Sequence, residues 1–151
     1  MGLDMYLTKK LYVSEYINKK IYKELKNLKI KGLNSDEFKN IKGLTFEVGY
    51  WRKVNEIHAW FVKNLGEGND DCNEIYVTKE DFESLLDLVN QVLKNHNLAG
   101  ELLPTEDGFF FGETEYNEYY FENLKYTKEL LEKILNKNDF NNFNYYYHAS
   151  W

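Results

Sequence analysis

The chain has 151 residues, 43% of them apolar and 29% charged, and 25 acids against 19 bases give a formal charge of −6. That length supports one core without a disulfide, metal or lipid, and a pI near 5.2 argues against a general binder of nucleic acid or anionic membrane, which needs a basic face to displace counterions. A lone cysteine, Cys72, excludes an intrachain disulfide framework and a multi-cysteine zinc site, and no apolar run approaches the ~20 residues that cross a bilayer.

Residues 2 to 8 alternate Leu3, Met5 and Leu7 with Gly2, Asp4 and Tyr6, the period of a strand with one buried face. From Lys10 to Leu28 the apolar positions Leu11, Ile17, Ile21, Leu25 and Leu28 recur among lysines and asparagines, which predicts an amphipathic helix. Lys29 to Gly43 reads as a loop with one helical turn at Asp36 to Ile41, and Leu44 to Tyr50 alternates as a second strand. Trp51 to Leu65 predicts a helix. At about 100° per residue its inner face carries Trp51, Val54, Ile57, His58, Phe61, Val62 and Leu65, its outer face Arg52, Glu56, Ala59 and Lys63, and a third edge Lys53 and Trp60.

Gly66 to Asn73 is a polar turn, and Glu74 to Val77 a short strand ending at Thr78, which forms a shortened capping box with Asp81. Phe82, Leu85, Leu86, Val89, Val92, Leu93 and His96 define the cleanest amphipathic helix. Leu98 to Thr114 holds the one proline, Pro104, and glycines around Phe109, Phe110 and Phe111, which predicts a loop folded back over a pocket. Tyr116 to Lys137 returns to helical spacing, and Phe143 to Trp151 alternates as a terminal strand. These elements predict a single α+β domain over residues 1–151, a small antiparallel or mixed sheet with about four helices packed on it.

Arg52 stands alone against 18 lysines. Lysine replaces a solvated arginine at little cost, but not one that forks two hydrogen bonds to a carboxylate or phosphate. Around it gather Lys53, Asn55, Glu56, Trp60, Phe110, Tyr116, Tyr119 and Tyr120, a set whose cations, amide and aromatic faces suit a phosphorylated, ring-bearing ligand. The alternative for these residues is structural: aromatics that fill the core, with Arg52 paired to Asp4 or Glu47. Gly66-Glu67-Gly68 lacks the strand and helix context of a phosphate-binding glycine loop, so side chains would grip the ligand. A second constellation, Cys72 with His58 and Asp71, contains the residue types of a thiol nucleophile, its base and an orienting acid. Neither a metal site nor a bound cofactor is expected, because the histidines and acids lack ligand spacing.

The chain also resembles a widespread family of small bacteriophage and prophage proteins. The marks are Met1-Gly2-Leu3-Asp4-Met5-Tyr6-Leu7, Val48-Gly49-Tyr50-Trp51-Arg52-Lys53 with Asn55, Ile57-His58, Trp60-Phe61-Val62, Asp71-Cys72, Leu103-Pro104-Thr105, Gly108-Phe109-Phe110-Phe111-Gly112, Tyr116, Tyr119 and the tail Tyr145 to Trp151. Val54, Ala59 and the His148-Ala149-Ser150 tail depart from the pattern. The resemblance implies a phage-encoded protein acting in the cytoplasm of a bacterial host. By analogy with small phage proteins that sequester nucleotide immune signals, it implies a homo-oligomeric counter-defence protein that captures a cyclic nucleotide or ADP-ribose derivative without catalysis. The alternatives are a Cys/His hydrolase acting on a nucleotide-like substrate and an inhibitor docking on a host defence protein. Neither general nucleic-acid binding nor membrane association is expected.

Overall fold

A computed structural model describes residues 2–108 and 111–151. Four strands, β1 (Asp4–Tyr12), β2 (Gly43–Arg52), β3 (Ile75–Val77) and β4 (Asn144–Ser150), form one sheet in the order β2-β1-β4-β3, with every neighbouring pair antiparallel. The first and last strands in the chain are the two central ones. Period-two patterning places Met5 and Leu7 of β1, Tyr145, Tyr147 and Ala149 of β4, and Trp51 of β2 on one buried face. Onto it pack α3 (Asn55–Asn64), α4 (Lys79–Lys94) and α6 (Glu118–Lys137), whose Phe61, Phe82, Leu85, Val89, Leu124 and Leu131 share that core. The stripe on α4 is the one the periodicity marks, and Thr78 caps it with Asp81 in the reciprocal arrangement expected.

Three predicted elements change. The helix expected from Lys10 is a strand as far as Tyr12, because tertiary pairing overrides local spacing. Lys9 reaches Asp139 at 2.6 Å and Lys10 reaches Glu74, fixing both lysines in the sheet, and the helix α1 covers only Lys19–Lys26. Its apolar residues Ile21, Tyr22 and Leu25 cover Leu11 and Val13 in a small second core together with Ile41, next to the short helix α2 (Ser35–Lys39). The second change is at Trp51 and Arg52, which extend β2 opposite Met5 and Asp4 instead of opening a helix. Lys53 turns the chain through the left-handed region at φ 57°, so α3 begins only at Asn55.

The third change is in the loop after α4, part of which is helical: a 3-10 turn over His96–Leu98 runs into α5 (Ala99–Leu102). Residues 103–108 and 111–117 then fold back across the start of α3. This return covers the face of α3 that its sequence spacing assigns to solvent, so that Glu56 and Ala59, expected outside, are buried at 3% and 7% exposure. Among the described residues no helix is long and apolar enough to cross a membrane.

Candidate functional site

The turn at Lys53 decides where chemistry is placed. A β-strand ends, the backbone reverses, and a helix starts within three residues, leaving Arg52 and Lys53 exposed while Asn55 and Glu56 point into the protein. Asn55 clamps the returning loop. Its Nδ2 donates to the Phe111 carbonyl at 3.1 Å and the Glu113 carbonyl at 2.9 Å, and its Oδ1 accepts from the Glu106 N–H at 2.8 Å. Each such bond is worth roughly 0.5–1.5 kcal/mol net, and more if lost with its partner still buried. Gly112, at φ 98°, lies against Lys53: a β-carbon there would stand 3.0 Å from the lysine Cβ and 3.1 Å from its carbonyl oxygen.

Between this loop, the turn and the first turns of α6 lies a cleft of about 370 Å³, lined by Arg52, Lys53, Glu56 and Gly112, by Glu113, Glu115 and Asn117, and by Tyr119, Tyr120 and Asn123 of α6. Among the described residues neither Arg52 nor Lys53 enters an ion pair. Tyr119 is 72% exposed at the rim. Tyr120 is buried, and its hydroxyl donates to the Leu103 carbonyl at 2.8 Å. Burial, with the Glu56 charge second, pushes that phenol well above its usual range.

Glu56 is the unusual member. Its side chain is buried, and Oε1 has no hydrogen-bond partner among the described residues. Burial raises its carboxyl from an ordinary 4.5 to about 7, against a smaller opposing pull from its own backbone N–H. A sheltered carboxyl oxygen without a donor is costly, and a buried carboxyl with a raised pKa that lines a cleft is a candidate site residue.

Of the residues singled out in the sequence, Arg52, Lys53, Glu56, Tyr119 and Tyr120 meet at this cleft. Asn55 stands behind it as the loop's clamp. Tyr116 lies beside it, 42% exposed, edge-on to Tyr120 at 5.1 Å, its hydroxyl accepting from the Thr105 N–H at 3.4 Å. Trp60 is elsewhere, buried in the core edge-on to Phe61 at 5.2 Å, so its indole offers the cleft no face. Phe110 falls outside the described residues. Glu113 and Glu115 escape a reading based on cations and rings, and Glu56, which that reading groups with Arg52, is placed by it on the outer face of the helix. The available signal for Glu56 is its spacing: Ala59 and Trp60, three and four positions on, share its helix face and are poor candidates for a wet surface.

The second constellation is arranged differently. His58 is buried, with Nδ1 2.7 Å from the Tyr147 hydroxyl and Nε2 3.1 Å from Asp70 Oδ1 without a hydrogen bond between them. The Tyr147 ring stacks on Phe61 at 4.0 Å and Trp151 stands edge-on to His58 at 5.8 Å. Burial, followed by the Asp70 charge, holds the Tyr147 phenol well above its usual range. Cys72 is exposed in the adjoining turn at φ 60°, and the hollow it shares with His58, Asp70 and Asp71 has about 10 Å³. That is at the lower limit for one water. Asp71 turns back on its own loop, accepting from the Asn73 N–H and side-chain amide. Among the described residues no group of three or more His, Cys, Asp or Glu side chains is placed to hold a metal ion.

Comparison with protein-family models, with curated proteins and with solved structures gives no match for this chain. The functional reading therefore rests on the cleft's own chemistry.

Proposed function

We propose that the protein binds a nucleotide-derived small molecule in the cleft between Arg52, Lys53 and Tyr119 and holds it without altering it. The observation that supports this reading is the pair of unpaired cations beside an exposed tyrosine ring, on the rim of a hollow of about 370 Å³. Guanidinium and ammonium groups match a phosphate, and a tyrosine face stacks on a base. The volume is within the ordinary range of a small-molecule pocket. Through the resemblance to phage proteins, the biological form of the proposal is sequestration of a nucleotide immune signal inside an infected bacterium. A homo-oligomer is part of that proposal and is read by light scattering of the ligand-bound sample.

Capture rather than catalysis is favoured by the placement of the nucleophile candidates. Cys72 is outside the cleft, and His58 is engaged by Tyr147 and Asp70 where there is no room for a substrate. Calorimetry of the purified protein against cyclic nucleotides and ADP-ribose derivatives is the direct test. One member of the panel should bind, with at least a tenfold loss in Arg52→Ala, and chromatography should recover it unchanged. No heat with any of them ends the proposal; a cleaved product converts it to an enzyme.

A further inference from the structure

The cleft has more acceptors than a phosphate site needs. Two cations share the lining with three carboxyl groups, Glu56, Glu113 and Glu115, with Asn123, and with Asn117, whose amide accepts from the Tyr120 N–H and donates to Glu113. A ligand that was anionic throughout would be repelled by half of this wall. The matching ligand has two ends, one anionic and one rich in N–H groups. Glu56 marks where the second end belongs, because its side chain lines the cleft, is 3% exposed, and has in Oε1 a sheltered oxygen with no donor among the described residues. A hydrogen-bonded ligand would replace the missing partner and remove the penalty.

The nucleobases differ sharply in what they can offer a carboxylate. Guanine presents N1–H and the N2 amino group side by side, donors on adjacent atoms with no acceptor between them, and its O6 on the same edge suits a cation. Adenine and cytosine place a ring acceptor beside their amino group, and uracil flanks its one N–H with two carbonyls. Each of these sets a lone pair against the carboxylate. Resting on the capture reading above, we propose that Glu56 is the base-reading residue of the cleft and that the ligand carries guanine, its N1–H and N2 amino donating to the Glu56 carboxylate while Arg52 and Lys53 hold the phosphate.

The 3′,5′-cyclic monophosphates are suitable probes, since a phosphodiester keeps one charge across the pH range and any pH effect then belongs to the protein. The titratable and charged groups that line the cleft with Glu56 are Arg52 and Lys53 from the strand end and turn, Glu113 and Glu115 from the loop, and Tyr119 and Tyr120 from α6. None of these is a histidine. Calorimetry at pH 8 should show the guanosine compound binding at least about tenfold more tightly than the inosine compound, which lacks only the 2-amino group, and than the adenosine compound. Affinity for the guanosine compound should fall severalfold from pH 8 to pH 6, as Glu56 takes up a proton and one of its two accepting oxygens becomes a donor. In Glu56→Gln the pH dependence and the guanine preference should both disappear, with adenosine gaining relative to guanosine because an amide both donates and accepts.

Equal binding of guanosine, inosine and adenosine compounds to the native protein overturns the assignment to guanine and leaves the cleft proposal standing. Guanine selectivity that survives in Glu56→Gln overturns the role of Glu56. No heat with any of the three, where other phosphorylated ligands do bind and are lost with Arg52→Ala, also overturns it, and no heat with any phosphorylated ligand removes the cleft proposal itself. The inosine comparison needs no variant, so it remains decisive even if Glu56→Gln folds poorly.

Discussion

Glu56 and His58 are two residues apart on α3, and both are buried to within a few per cent, yet they are opposite kinds of polar residue. His58 is enclosed by Tyr147, Asp70, Phe111 and Trp151, next to a hollow of about 10 Å³. Glu56 has a sheltered oxygen without a partner among the described residues and lines a cleft of about 370 Å³. Burial by itself does not separate scaffold from site. Each keeps one buried polar atom without a hydrogen-bond partner among the described residues; what separates them is whether there is space beside it for something else to bind.

The contrast predicts opposite signs for substitution, and the larger effect belongs to Glu56. Its carboxyl titrates near 4.5 when the chain is unfolded and near 7 when folded, so between those values the folded state holds the extra proton. Its contribution to stability is then fully present below about pH 4.5 and lost as the pH rises through 7. Glu56→Gln removes a charge that the fold accommodates badly. At pH 8 it should stabilise the protein by up to about 3 kcal/mol, and the gain should vanish near pH 4. Thermal unfolding of both forms across pH 4 to 8 measures this. A Glu56→Gln protein that is less stable at pH 8 would place Glu56 with His58 as structural.

His58→Leu should act in the other direction, costing about 2 kcal/mol, because the buried Tyr147 hydroxyl loses its partner. Adding Tyr147→Phe should recover most of that loss, since replacing both members of a buried pair with apolar groups is nearly neutral. Urea unfolding of the single and double variants forms the cycle. If the second substitution deepens the loss, the hydroxyl has a role beyond its bond to the imidazole, and the contrast with Glu56 is weakened.

The sheet and α4 are legible in the sequence because their periodicity and their burial agree: Met5 and Leu7, Phe82 and Val89 are where the alternation and the helical stripe place them. Arg52 is legible for a different reason, as the one residue that resists the lysine usage around it. Glu56 is not. Its burial depends on the loop that Asn55 clamps across α3, a contact between residues some fifty positions apart, and helix periodicity describes a face without saying what covers it. The extension of β1 to Tyr12 is hidden in the same way, since Lys9 and Lys10 look like a helix surface until Asp139 and Glu74 are brought beside them. The Lys9 pair is nearly enclosed, with Tyr145 also donating to Asp139 at 2.6 Å. Although burial alone would raise the Asp139 carboxyl, Lys9 and Tyr145 hold it below its usual value.

Cys72 should give the smallest effect of all. The thiol is exposed in a loop whose bend is supported by Asp71 and Asn73, and it packs into no core, so Cys72→Ser should change stability by less than about 0.5 kcal/mol. It lies outside the cleft lined by Arg52 and Glu56, so the substitution should also leave ligand affinity unchanged. Alkylation with iodoacetamide checks the same point without a mutation: the exposed thiol should react fully in the folded protein while nucleotide binding is unaltered. Loss of binding on alkylation would tie the Cys72 loop to the ligand site and erase the division between the Glu56 and His58 sides of α3, because a group that touches the ligand cannot belong to scaffold alone.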